Sequence, residues 1–290
     1  MVCKVRKLLR AHQTLEGAGV KLKRVFGYDT RIETDPFLLL DHFGSNYPED
    51  YLAGFPWHPH RGIETVTYMI DGIVEHGDSL GNTGVIGPGD VQWMTAGSGI
   101  VHQEMPKAHN GLMYGFQLWV NLPEIHKMTS PRYREIKTSD IPIIEKPESM
   151  LKIISGRYKK THGAVQDLFA EILYFDIKIW PNSNFSYEVN EEYNCMSYVY
   201  DGEVKFHGYD DFVRSHELVL FERGTQIEMK AGADGARLLL LGGKPLNEKI
   251  AWKGPIVMNT EEELEVAFEE FYNGNFIKTA NDIKFNVKKK

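Results

Sequence analysis

The chain has 290 residues, 42% of them hydrophobic and 25% charged, and a formal net charge of −7. That composition excludes a disordered chain, and the acidic balance excludes a general grip on nucleic acid, which needs a basic face. The length prior is about two domains, and two cysteines, Cys3 and Cys195, exclude a disulfide framework and favour a reducing compartment.

The first ten residues lack the apolar core of a signal peptide. No run approaches the roughly 18 apolar residues that a membrane span requires. The expectation is a soluble, intracellular protein without a membrane partner. The basic end, Lys288-Lys289-Lys290, reads as a frayed, solvated terminus.

The first chemistry along the chain is His58-Pro59-His60, stiffened by Pro56 and Pro59; it is followed by a second pair, His102-Gln103-Glu104. Residues two apart on a β-strand point to the same face. Two such strands in one barrel bring three imidazoles and a carboxylate to one interior point. Donors of this kind, with no thiolate, suit Fe, Mn, Ni, Cu or Zn, and four of them leave an octahedral ion two open positions. Glu64 shares the parity of His58 and His60, so it competes with Glu104 as the carboxylate ligand or acts as a partner that fixes a histidine tautomer. His76, His109, His126, His162, His207 and His216 lack such pairing and read as surface or turn residues. Phe55, Met94, Met105 and Phe116 are candidates for apolar walls by their nearness in sequence to the ligands. No phosphate-cradling Gly loop or G-x-S-x-G elbow is present, which removes support for phosphoryl transfer and serine acylation.

Strand-like runs follow at 64–70, 90–94, 112–120, 171–180, 184–189, 196–206, 216–221, 226–230 and 237–241. Turn signals punctuate them, including Gly87-Pro88-Gly89-Asp90 and Gly97-Ser98-Gly99. Asp71-Gly72 and Asp201-Gly202 read as hairpin turns. Many short strands with Gly turns predict an all-β barrel or sandwich. A faint repeat aligns Tyr68–Val74 with Tyr198–Val204 at an offset of 130 residues (198 − 68). The same offset carries His58 and His60 onto Glu188 and Asn190, while an offset of 125 carries His102 and Glu104 onto Ile227 and Met229. The second half thus lacks the ligands, and a single metal site is expected. Residues 138–149, with two prolines and several charges, read as a linker between domains at 1–137 and 150–290.

One helix is expected near the C-terminus. Thr260 with Glu263 forms a capping box, and Leu264, Ala267, Phe268, Phe271 and Tyr272 form a buried stripe ended by Gly274. It is expected to pack on the outside of a barrel.

The run Gly54-Phe-Pro-Trp-His58-Pro-His60-Arg-Gly-Ile-Glu64-Thr-Val-Thr-Tyr68 resembles the first cupin motif of pirins. Gly89-Asp-Val-Gln-Trp-Met-Thr-Ala-Gly-Ser-Gly-Ile-Val-His102-Gln-Glu104-Met resembles the second, and 117–122 and 254–260 are also similar to pirin segments. The resemblance implies a bicupin: two stacked antiparallel cupin β-barrels with one Fe(II)-type site in the N-terminal barrel. It assigns the ligands to His58, His60, His102 and Glu104, favouring Glu104 over Glu64. It also implies two functions. One is a quercetin 2,3-dioxygenase, in which Glu104 serves as general base and O2 opens the heterocycle of a flavonol-like substrate with release of CO. The other is a metal-dependent regulator acting through a protein partner, with no direct contact to DNA. Location is expected to be cytoplasmic, and also nuclear in a eukaryote.

Overall fold

A computed structural model describes residues 1–108 and 111–278. His109 and Lys288–290 therefore lie outside the described residues. The described chain is built from strands with one α-helix, Glu261–Tyr272, and four short 3-10 turns, in keeping with the all-β expectation.

The chain divides into two compact units interlaced in sequence. One holds Met1–His12, Lys23–Leu40 and Thr138–Asn247; the other holds Gln13–Leu22, Asp41–Lys137 and the chain from Glu248 on. This replaces the linear boundaries expected at 137 and 150. Val5–Arg10 joins the sheet of the later unit by pairing with Glu217–Phe221, and the C-terminal helix belongs to the earlier one. Nor is 138–149 a linker throughout, because Ile143–Lys146 is a strand paired with Ser149–Ser155. Its alternation of exposed and half-buried residues suits a sheet edge better than a solvated tether.

In the unit that carries the histidines, a four-stranded antiparallel sheet runs in the order Phe55–His60, Ile100–Lys107, Ile73–Asp78, Thr83–Ile86. A seven-stranded sheet runs Arg132–Ile136, Val91–Thr95, Ile63–Asp71, Met113–Asn121, Phe37–Ser45, Val20–Phe26, His12–Glu16. Asp71-Gly72 does not close a hairpin. It joins a strand of the larger sheet to one of the smaller, so the chain turns a corner there. Asp201-Gly202 is likewise no hairpin turn: it lies within the continuous strand Asn194–Phe206, at a register shift against Gln226–Gly243. In both halves Asp-Gly marks where a strand bends, as a bulge does.

The helix is capped as expected, with the Thr260 side chain accepting from the Glu263 amide and the Glu263 carboxylate returning to the Thr260 amide. Leu264 and Ala267 are buried with Val101, Ile256 and Met258, and Phe268 and Phe271 pack against them. Burying one such Leu contributes about 2 kcal/mol. Tyr272, expected in this stripe, is 74% exposed because it sits at the fraying end of the last turn. Val101 lies between Ile100 and His102, so the helix covers the back of the strand that presents His102.

The other unit has a nine-stranded antiparallel sheet around an apolar core. Its strand pairing corrects the repeat register by one residue. His102 pairs with His58, whereas Ile227 pairs with Tyr187, not Glu188. Tyr187, Val189, Ile227 and Met229 therefore stand where the first unit has His58, His60, His102 and Glu104, and all four belong to the core or pack on it.

Candidate metal centre

Three imidazoles converge at the small sheet. The candidate ligand atoms of His58, His60 and His102 lie within 4.8 Å of one another. Strand pairing explains this: His102 is opposite His58 and Ile100 is opposite His60, so all three rings leave the same face. The tautomers follow from the backbone. His58 Nδ1 donates to the Pro56 carbonyl at 2.8 Å and His60 Nδ1 to the Pro255 carbonyl at 2.9 Å. Both Nε2 lone pairs then point at the same space, 3.1 Å apart. His102 is fully buried, and neither of its ring nitrogens has a hydrogen-bond partner among the described residues. Two facing lone pairs and an orphaned buried ring are costly unless a cation fills the space between them.

Burial keeps all three rings neutral, the form that binds metal. It lowers the pKa of His58, depresses that of His60 to about 3, and takes that of His102 well below the ordinary value. The donor set fits a divalent transition ion.

Glu104 comes from the same strand as His102, beyond a register shift against Phe55–His60. Its Oε1 accepts from Thr67 Oγ1 at 2.8 Å and Gln92 Nε2 at 2.6 Å. Thr67 is opposite Gln92 on one side and Gln117 on the other, so three strands of the large sheet present one polar row to this carboxylate. Oε2 has no hydrogen-bond partner among the described residues. Trp119, on the same face as Gln117, meets His60 edge-on with ring centroids 5.0 Å apart.

Glu64 belongs elsewhere. Strand Phe55–His60 ends before Gly62, whose φ of +77° breaks the alternation, and a new strand starts at Ile63. Glu64 is three residues from Thr67 and so points to the opposite face of its sheet. There it accepts from Thr95 Oγ1 at 2.6 Å and faces Arg134 at 4.0 Å. Burial raises its pKa.

The four wall candidates separate by the same alternation. Met94 shares the inner face with Gln92, and Phe55 packs on the apolar cluster containing Met69, Val74 and Met113. Met105 leaves the back of its strand beside Trp57 and Gln103, and Phe116 turns away to pack on His42 and Tyr68.

His76, expected at the surface, is 4% exposed and sits against the centre. It pairs with Glu104 across the sheet, its ring centroid is 5.5 Å from that of His102, and Tyr133 stacks on it at 4.3 Å. Its Nε2 donates to Asp78 Oδ2 at 3.1 Å. Asp78 is opposite His102, so His76-Gly77-Asp78 is a third polar i, i+2 pair on this face. That spacing was the available signal.

Residues 19–120 match the Pirin family model, and residues 174–277 match the model of the Pirin C-terminal cupin domain. A pirin-like protein of Caulobacter vibrioides is 44% identical over 274 residues, 94% of this chain and 98% of its own. A crystal structure of quercetin 2,3-dioxygenase from Acinetobacter baumannii has a TM-score of 0.89 at 35% identity, covering 95% of this chain and 99% of its own. The bacterial pirin YhhW of Escherichia coli, solved in complex with nickel(II), shares the fold with a TM-score of 0.65 at 19% identity, over 82% and 99% of the two chains. With both halves matched and a relative alike along nearly its whole length, the chain belongs to the pirin family.

Proposed function

We propose that this protein is a metal-dependent dioxygenase of the quercetin 2,3-dioxygenase type, opening a flavonol-like substrate with O2 and releasing CO. The observation that carries it is the convergence of neutral His58, His60 and His102, with Glu104 two residues beyond His102 on the same strand and held by Thr67 and Gln92. The Acinetobacter structure named for that activity, 35% identical to this chain, adds support.

His58, His60, His102 and Glu104 would hold one divalent transition ion, with Fe(II) the first candidate and Mn, Ni, Cu and Zn compatible with the same donors. The ion would supply Lewis-acid stabilisation of the deprotonated flavonol 3-oxygen and a path for reaction with O2. The protein supplies the rest. The Pro56 and Pro255 carbonyls orient two rings. Thr67 and Gln92 fix Glu104 through Oε1, leaving Oε2 to share the ion or take the 3-hydroxyl proton as general base. Met94 and Phe55 supply apolar wall, and Trp119 closes the His60 side.

Glu104→Gln tests this assignment. The variant keeps the shape and the imidazoles, so it is expected to retain metal and lose flavonol turnover by about 100-fold or more. Undiminished turnover would remove Glu104 from the mechanism.

A regulatory reading draws on Trp57, which is 45% exposed and adjacent to His58. A partner docking there would sense whether the centre is loaded. Association that depends on metal, in protein that turns over no flavonol, would favour that role.

A further inference from the structure

The C-terminal unit has a cavity of about 900 Å³, lined entirely by residues between Lys146 and Gln226. That is the size of a small-molecule site. Among its lining residues is Tyr187, the positional counterpart of His58 by strand pairing. Val189, Ile227 and Met229 hold the other ligand positions, so this unit has exchanged metal donors for apolar core side chains, and Tyr187 with Tyr158 forms the floor of the cavity.

The floor is rigid. Tyr158 and Tyr187 lie near-parallel, with centroids 6.0 Å apart and planes 23° apart, and Phe175 meets Tyr187 edge-on at 5.1 Å. The Tyr187 hydroxyl donates to the Arg157 carbonyl, which fixes the ring. Tyr158 is 5% exposed and lines the cavity. Its hydroxyl accepts from Lys146 Nζ, and its own proton has no acceptor among the described residues.

The rim is cationic. Lys146, Arg157 and Lys159 stand against two carboxylates, Glu171 and Glu188. Lys146 Nζ sits 4.5 Å from the Tyr158 ring centroid and Lys159 Nζ 5.9 Å from it. Lys159 holds a φ of +52° at the turn of the small hairpin formed by Arg157–Tyr158 and Thr161–His162. A buried phenol with a proton to give, next to an ammonium with donors to spare, is a receptor for a carboxylate. The stacked tyrosines suit a flat ring.

We propose that this cavity binds a small planar aromatic carboxylate, its ring on Tyr187 and its carboxylate between Tyr158 Oη and Lys146 Nζ. The site is separate from the metal centre and does not depend on the activity proposed for it.

The test is calorimetric titration of the full chain with 1-naphthoate, with neutral 1-naphthamide as control. The expected result is one naphthoate per chain, with naphthamide at least about tenfold weaker. Lys146→Gln and the exposed-turn variant Lys159→Gln should each weaken naphthoate at unchanged Tm, Lys146→Arg should restore it, and Tyr187→Leu should abolish it in protein shown by its melting curve to be folded. His102→Ala should leave it unaltered. No binding of naphthoate at about 1 mM, equal binding of the amide, or loss of binding in His102→Ala would each overturn the proposal.

Discussion

The hydroxyl of Thr67 donates to Oε1 of Glu104 at 2.8 Å, joining the middle of the large sheet to the strand that carries His102. The same hydroxyl lies 2.8 Å from Oε1 of the Gln117 side chain. It has one proton to give. With that proton on Glu104, the network is complete when the Gln117 amide is turned over, so that its nitrogen donates into the Thr67 oxygen. The carboxylate is thus aimed by a chain of side chains on the large sheet.

Thr67→Val removes that donor at nearly constant volume. The expected loss in kcat/KM is about tenfold, and Gln92→Leu, which removes the shorter bond at 2.6 Å, should cost more. Metal content should stay at wild-type level in both. Loss of metal together with activity, read by elemental analysis, would instead make this pair part of the metal's support.

Lys127 is 2% exposed, and its Nζ donates to the Gly62 carbonyl at 2.8 Å, the Val257 carbonyl at 3.1 Å and the Asn121 side chain. Burial lowers its pKa to about 7, yet three acceptors around one nitrogen match the three donors of the charged form. It ties Gly62, next to the His60-Arg61 strand end, to the segment whose Pro255 carbonyl orients His60. Lys127→Met strands three buried oxygens and is expected to cost about 3 kcal/mol and to weaken metal binding, both measurable by denaturation and metal titration.

Acid should destabilise the metal-free protein through its histidines. Burial holds His60 near 3 while an unfolded histidine titrates near 6.5. The unfolded chain therefore binds more protons across that window. This contribution to stability is complete above pH 6.5 and is lost as pH falls towards about 3. His60→Leu removes one such proton, so its Tm should fall less steeply than wild type between those limits. Parallel profiles would show that His60 titrates normally in the fold.

Gly62→Ala is expected to be severely destabilising. An added Cβ would meet the Val257 carbonyl oxygen at 1.9 Å, and the φ of +77° already disfavours any side chain. Soluble protein with wild-type Tm and metal affinity would contradict this account of the break between His60 and Ile63.

The imidazole cluster was legible because its spacing is local: two residues on a strand share a face wherever the strand lies. The capping box at Thr260 was legible for the same reason. Glu64 was misplaced because one glycine resets the alternation between His60 and Glu64. Met105 and Phe116 were misplaced because nearness in sequence was used where parity decides. His76 was passed over because its i, i+2 partner is Asp78 and not another histidine. The interlaced units were not legible, since the pairing of Val5–Arg10 with Glu217–Phe221 joins segments about two hundred residues apart, and no local pattern encodes that.

The most direct test is anaerobic loading with Fe(II), followed by quercetin and O2, recording oxygen uptake, CO release and loss of the flavonol absorbance, with His102→Ala alongside. The account predicts one metal per wild-type chain with turnover, and neither metal nor turnover in His102→Ala. Full turnover by metal-free His102→Ala protein, or a fully loaded wild type that consumes no O2, would contradict it.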